Sequence, residues 1–251
     1  MKHDIDWGNV KFRASSWGSL LVEPQSKAAK EAGELSVTCQ KELIKIYNLL
    51  KYGRKKDIVT KQMEKGVLCE QDAIDLYCKV EGKMYFKNQE PLENDYFTGH
   101  PDIYAGDNIL NAEEVDDIKN SWELDTFTPR LIEEIDKGYE CQLNVYYDLT
   151  GAPCGNLVYT LVSAPPMIVE SEKYRLLRSM DVISEESPEF KKIAAHLENL
   201  MIFDDIDYRE RVIKKPVPRN EELIKKMKDK VPVLRQWLKD FEEKHMSQYP
   251  K

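Results

Sequence analysis

The chain has 251 residues, of which 41% are apolar and 33% charged, with a net charge of −8. That length supports one sizeable core, and the balance of apolar and charged residues excludes a fibrous or disordered chain and reads as a soluble globular protein. No apolar run approaches the roughly 18 residues that a membrane-spanning helix requires.

In chain order, Met1 to Asp6 lacks the apolar stretch of a secretory signal. Residues 27–50 are rich in Ala, Glu, Lys and Leu without Pro, which predicts a helix, and a second helix is predicted over about 56–80. Between about 84 and 119, Gly99-His100-Pro101 and Ala105-Gly106-Asp107-Asn108 interrupt short apolar runs, the pattern of a hairpin or antiparallel meander. A helix is predicted over 138–149, closed by Thr150-Gly151, and Asn156 to Val162 has the β-branched, apolar character of a buried strand. Residues 187–201 read as a helix with Pro188 near its start, 208–213 as a strand, and 219–245 as a charged helix interrupted or kinked around Pro232. No internal repeat or linker divides the chain, so a single α/β domain over 1–251 is expected.

The five cysteines, Cys39, Cys69, Cys78, Cys141 and Cys154, are odd in number and irregularly spaced. They read as free thiols in a reducing compartment, which points to the cytoplasm. An iron–sulfur cluster is the alternative reading, but it would need several cysteines late in the chain, and none follows Cys154. The negative charge argues against a broadly nucleic-acid-binding surface. Two basic stretches, 51–61 (Lys51, Arg54, Lys55, Lys56, Lys61) and 209–219 (Arg209, Arg211, Lys214, Lys215, Arg219), allow a positive groove on a negative body, or simply solvated surface.

Four places carry chemistry. Glu70 falls in a helical stripe with Met63, Val67, Ile74 and Tyr77, and an acid on an apolar face requires a partner or a metal, unless it sits at the edge of that face and pairs with a lysine. Asp102 follows Gly99-His100-Pro101 and enters a predicted strand, although an Asp there also suits a turn. In Val115-Asp116-Asp117-Ile118-Lys119, strand alternation puts Asp117 and Lys119 on one face and Asp116 and Ile118 on the other. The carboxylate can hold a cation, while the amine can orient and help deprotonate a water and offset developing charge. A cross-strand salt bridge is the structural alternative. Finally, Gln142 and Tyr146 lie one turn apart on a helix. A helical Gln is usually at the surface, but one packed under a sheet can hydrogen-bond catalytic groups.

The order helix acid, strand acid, acid-x-Lys, helix Gln-x-x-x-Tyr resembles the signature of the PD-(D/E)XK nucleases, and within them the lambda-exonuclease-like, YqaJ-type viral recombinase nucleases. Gly66-Val67-Leu68-Cys69-Glu70, Gly99-His100-Pro101-Asp102, Asp117-Ile118-Lys119 and Gln142-Leu143-Asn144-Val145-Tyr146 carry the resemblance, and Asp117 stands where the family often has Glu. It implies a restriction-endonuclease-like core with a central mixed sheet flanked by helices, a catalytic part at about 56–165, and a C-terminal extension of helices and strand at about 166–251. Glu70, Asp102, Asp117, Lys119 and Gln142 would be catalytic, with Tyr146 in support. One or two Mg²⁺ or Mn²⁺ ions would be held by Glu70, Asp102, Asp117 and the Ile118 carbonyl. Arg13 with Ser15 or Ser16 would hold a DNA 5′-phosphate, although a serine there also suits a helix N-cap.

The implied activity is hydrolysis of linear duplex DNA, 5′ to 3′, in phage-type recombination or repair, in the cytoplasm of a bacterium or phage-infected host. A phage single-strand annealing protein is an implied partner, and a ring of three copies an implied assembly. The superfamily also contains endonucleases and single-strand nucleases, and a non-catalytic DNA- or protein-binding module is a reading from another class.

Overall fold

The computed structural model describes residues 5–56, 60–180 and 184–246, so 57–59, within the second expected helix, lie outside it. The N-terminal part contains β1 (Phe12–Arg13), α1 (Trp17–Leu20), α2 (Lys27–Glu31) and α3 (Val37–Tyr52). Then come α4 (Lys61–Leu68), α5 (Glu70–Glu81), β2 (Phe86–Lys87), β3 (Leu92–Glu93), β4 (Phe97–Gly99), β5 (Ile103–Ala105) and β6 (Glu114–Asn120). The chain continues through α6 (Leu124–Phe127), α7 (Lys137–Thr150), β7 (Cys154–Thr160), α8 (Pro166–Ser179), α9 (Pro188–Asn199), β8 (Val212–Pro218) and α10 (Glu221–Phe241).

The central sheet has the order β2-β5-β6-β7-β8, with β6 and β7 parallel and the other neighbours antiparallel. A smaller sheet, β3-β4-β1, pairs β1 in parallel with β4. The parallel pair requires a crossover, and α7 supplies it. Asp136 caps α7 by accepting from the Gly138 amide, and Gly151 ends it at φ 78°. Residues 141–147 are all buried, the pattern of a central helix rather than a surface one. On one side of α7, α1 approaches so closely that a Cβ on Gly18 would lie 2.7 Å from the Gly138 Cα. This contact brings the N-terminal segment to the centre of the fold. The main core joins Phe12 and Trp17 to Leu143 and Tyr147 of α7, and to Ile224, Met227 and Leu234 of α10. None of the described helices is long and apolar enough to cross a membrane.

Several local expectations change. The first helix breaks at Gly33, whose φ of 68° is left-handed, and restarts with Ser36 accepting from the Cys39 amide. The second breaks at Cys69 (φ −99°, ψ 10°), which turns the chain between α4 and α5. The stripe divides there: Ile74 and Tyr77 are buried, whereas Met63 and Val67 are exposed at 57% and 75%. A short 3-10 turn covers Tyr208–Arg211, so the strand expected at 208–213 starts later, at Val212. Helix α8 has no counterpart among the expected elements, and α10 continues through Pro232.

Candidate active site

Asp102 immediately precedes β5, and its Oδ2 accepts the Ile118 backbone amide across 2.8 Å. This bond uses the free edge where β5 has not yet begun to pair and ties the aspartate to β6. On β6, alternation places Asp116 against α5 and β7: it accepts from Tyr77 OH (2.9 Å) and from the Asn156 amide and side chain (2.6 and 2.8 Å). Asp117 and Lys119 project from the opposite face, where Lys119 Nζ stands 2.6 Å from Asp117 Oδ2.

That face rests on α7. Gln142 donates to Asp117 Oδ1 and to Tyr146 OH, both at 2.8 Å. Tyr146 fits because residue 99 is glycine: a Cβ there would lie 2.8 Å from the Tyr146 ring. The glycine before His100-Pro101-Asp102 thus lets the smaller sheet close against the tyrosine that supports Gln142.

Burial pushes the Asp102 carboxyl up to about 7, the negative charge of Asp117 adds to it, and Lys119 and the Ile118 amide oppose it. Burial also works against the Lys119 ammonium, but Asp117 and Asp102 outweigh it and hold the amine protonated above its ordinary range. Asp117 Oδ2 is buried, and its close partner is this ammonium.

Glu70 opens α5 instead of lying inside a helix. It pairs with Lys87 of β2 at 2.6 Å, both side chains 37% exposed. A cleft of about 600 Å³ collects Glu70, Asp102, Ile118 and Lys119, whereas Asp117 and Gln142 are buried and not part of its lining. Among the described residues, no three Asp, Glu, His or Cys side chains are grouped closely enough to hold a metal ion. The structure therefore brings Asp102, Asp117, Lys119, Gln142 and Tyr146 into one bonded set and holds Glu70 across the cleft on a lysine. Arg13 ends β1, paired opposite Thr98, and its charge reaches Tyr146, where it opposes the upward push of burial and of the two aspartates. Ser15 is exposed; Ser16 donates to Glu42 at 3.0 Å and does not cap α1.

Sequence reasoning missed Lys65, which is 1% exposed and donates to the Ser121 and Trp122 carbonyls at 2.9 and 3.1 Å. It pins α4 to the strand leaving the site, and burial lowers its pKa to about 8. Nothing in Met63-Glu64-Lys65-Gly66 distinguishes such a lysine from a solvated one. Also missed were Trp122, Arg130, Tyr139 and Tyr159, which line the same cleft. None of the described lysines and arginines of the two basic stretches lines the cleft, and several are already engaged: Lys51 with Glu242, Lys61 with Glu64, Lys214 with Glu81, and Arg219 with Glu221.

No family model matches the chain, and no curated protein does. Solved structures do. A phage-related exonuclease from Haemophilus somnus superposes with a TM-score of 0.72 at 25% identity, covering 94% of this chain and 96% of its own. An alkaline exonuclease from Laribacter hongkongensis, LHK-Exo, gives a TM-score of 0.62 at 12% identity, covering 97% and 96%. LHK-Exo in complex with dAMP gives 0.57 at 14%, covering 95% of each chain. The chain is thus similar over nearly its whole length to a phage-related exonuclease, and its mixed sheet flanked by helices is consistent with a PD-(D/E)XK-like core.

Proposed function

We propose that the chain is a DNA exonuclease that depends on Mg²⁺ or Mn²⁺ and degrades linear duplex DNA from a 5′ end. The observation that carries this reading is the joining of Asp102, Asp117 and Lys119 at one point, on the fold of known exonucleases. The donor set suits a hard divalent ion. Asp117 Oδ2 is a buried carboxylate oxygen paired with the Lys119 ammonium, the Asp102 charge acts on Asp117, and the Ile118 carbonyl is a further oxygen. Glu70 joins them by leaving Lys87, and a pair this exposed holds it by only about 0–1 kcal/mol.

Held by Asp102, Asp117, Glu70 and the Ile118 carbonyl, a divalent ion would supply positive charge to the scissile phosphate and a water of lowered pKa. The protein's own groups do the rest. Gln142 and Tyr146 fix Asp117, so the carboxylate does not rotate as charge develops. Lys119, 2.6 Å from Asp117 Oδ2, is placed to donate to the phosphate and offset the charge of the transition state. Arg13, with Ser15, supplies donors for a terminal 5′-phosphate; a guanidinium fork suits that group, and its charge reaches the tyrosine that supports Gln142.

Linear duplexes labelled at either end, incubated with Mg²⁺ or with EDTA, test the reading against covalently closed plasmid. Metal-dependent loss of the 5′ label with the closed circle intact is expected. Cutting of the circle would make the protein an endonuclease, and the absence of any metal-dependent turnover would leave only a binding module.

A further inference from the structure

One wall of the cleft is aromatic and cationic, and the chemistry above does not use it. Tyr159 of β7 is in register with Lys119 of the parallel neighbour β6, so it lies beside the lysine. The Arg130 guanidinium sits 5.2 Å from the Tyr159 ring and is held from its other side by Glu133, 2.6 Å away. Lys119 Nζ stands 5.4 Å from the Tyr139 ring. Trp122 follows two residues after β6, and its carbonyl is fixed by the buried Lys65 amine.

Trp122 and Tyr139 are partly buried: Trp122 packs on the small cluster around Ile168, and Tyr139 on the main core. Both also line the cleft. Among the described residues, neither ring stacks on another ring, although Trp7, Tyr47, Tyr77 and Phe241 elsewhere all do; the ring neighbours of these two are cations, Lys65 Nζ 5.8 Å from the Trp122 ring and Lys119 Nζ beside Tyr139, so a base would take the remaining face of each ring. Two ring surfaces beside a pre-oriented guanidinium match one class of ligand, a flat heterocycle joined to a phosphate.

We propose that Trp122, Tyr139 and Arg130 form a nucleotide subsite next to Asp102 and Lys119. The rings stack on the base, and the guanidinium, held on Tyr159, takes the adjoining phosphate. This rests on the nuclease reading and adds to it: the enzyme grips a base at the reaction centre as well as the backbone. Stacking tolerates every base, since each has a π-face, so the subsite adds affinity without sequence preference. The 600 Å³ cleft has room for one nucleotide.

The test uses the whole chain and a linear duplex carrying one abasic residue in the degraded strand, compared with the intact duplex. The parent should slow by about tenfold on reaching the abasic residue, the loss expected when one stacked base is removed. Trp122→Leu with Tyr139→Leu should slow on intact DNA and become indifferent to the abasic residue, while Trp122→Phe with Tyr139→Phe restores the difference. Equal rates of the parent on both duplexes would overturn the subsite and leave the nuclease reading standing. If the parent cleaves neither, the nuclease reading fails, and calorimetric titration with thymidine 5′-monophosphate and deoxyribose 5-phosphate decides the subsite alone. Tighter binding of the nucleotide, weakened by the two Leu substitutions but not by the Phe pair, supports it. Equal affinity for the two compounds overturns it.

Discussion

Gln142 donates its amide to Asp117 Oδ1 across 2.8 Å, so the helix beneath the sheet fixes the carboxylate that the strand only presents. The same nitrogen reaches Tyr146 OH, and both residues lie in the interior of α7. Replacing Gln142 with Leu removes the donor and leaves a buried carboxylate oxygen unpaired. The expected cost in folding stability is about 1–3 kcal/mol, read from urea denaturation. Cleavage should fall through kcat more than through KM, because Asp117 is misplaced while DNA contacts at the cleft rim persist. A variant with parent-like kcat would remove Gln142 from the site.

Lys119→Ala should abolish most hydrolysis while leaving Mn²⁺ binding measurable by calorimetry. The lysine is the cation that faces Asp117 Oδ2 and offsets part of the charge on Asp102. Without added metal the variant should melt below the parent, since two neighbouring acids lose their counterion, and Mn²⁺ should restore much of the difference by binding the folded state. Near-normal cleavage would show that Lys119 is not catalytic.

The raised Asp102 pKa gives a pH signature. Its folded value is about 7, against 3.8 for an ordinary aspartate. The folded protein therefore holds this proton more tightly than the unfolded chain. The associated stability is complete below about pH 4 and is lost as pH rises towards 7. Melting curves without metal should show this decline in the parent and not in Asp102→Asn. A divalent ion must displace the same proton, so Mn²⁺ affinity should rise with pH up to about 7 and then level off. An affinity independent of pH would separate Asp102 from the metal.

Lys87 competes with any ion for Glu70. Both partners are 37% exposed, so Lys87→Ala should change folding stability by no more than about 1 kcal/mol. The freed carboxylate should tighten Mn²⁺ binding several-fold, and Lys87→Ala combined with Glu70→Ala should lose that gain. Identical Mn²⁺ affinities in the parent and Lys87→Ala would mean that Glu70 stays clear of the ion.

Much of the site was legible in the sequence because strand alternation is a local rule. A period of two is enough to put Asp117 and Lys119 together and to send Asp116 to the opposite face, where Tyr77 and Asn156 meet it. The closing glycine of the 137–150 helix was equally local. Other features depended on distant parts of the chain. The periodic stripe that placed Glu70 within one helix could not reveal a break at Cys69, because apolar spacing continues across it while the backbone turns. Helical spacing left Gln142 open between the surface and a place under the sheet until residues 141–147 of α7 proved to be buried, and Gly99 acquired its purpose only when Tyr146 packed against it. Lys65 and the Trp122–Tyr139–Arg130 wall were invisible for the same reason: the carbonyls, rings and carboxylates that decide their roles lie on other elements, and only folding brings them within reach.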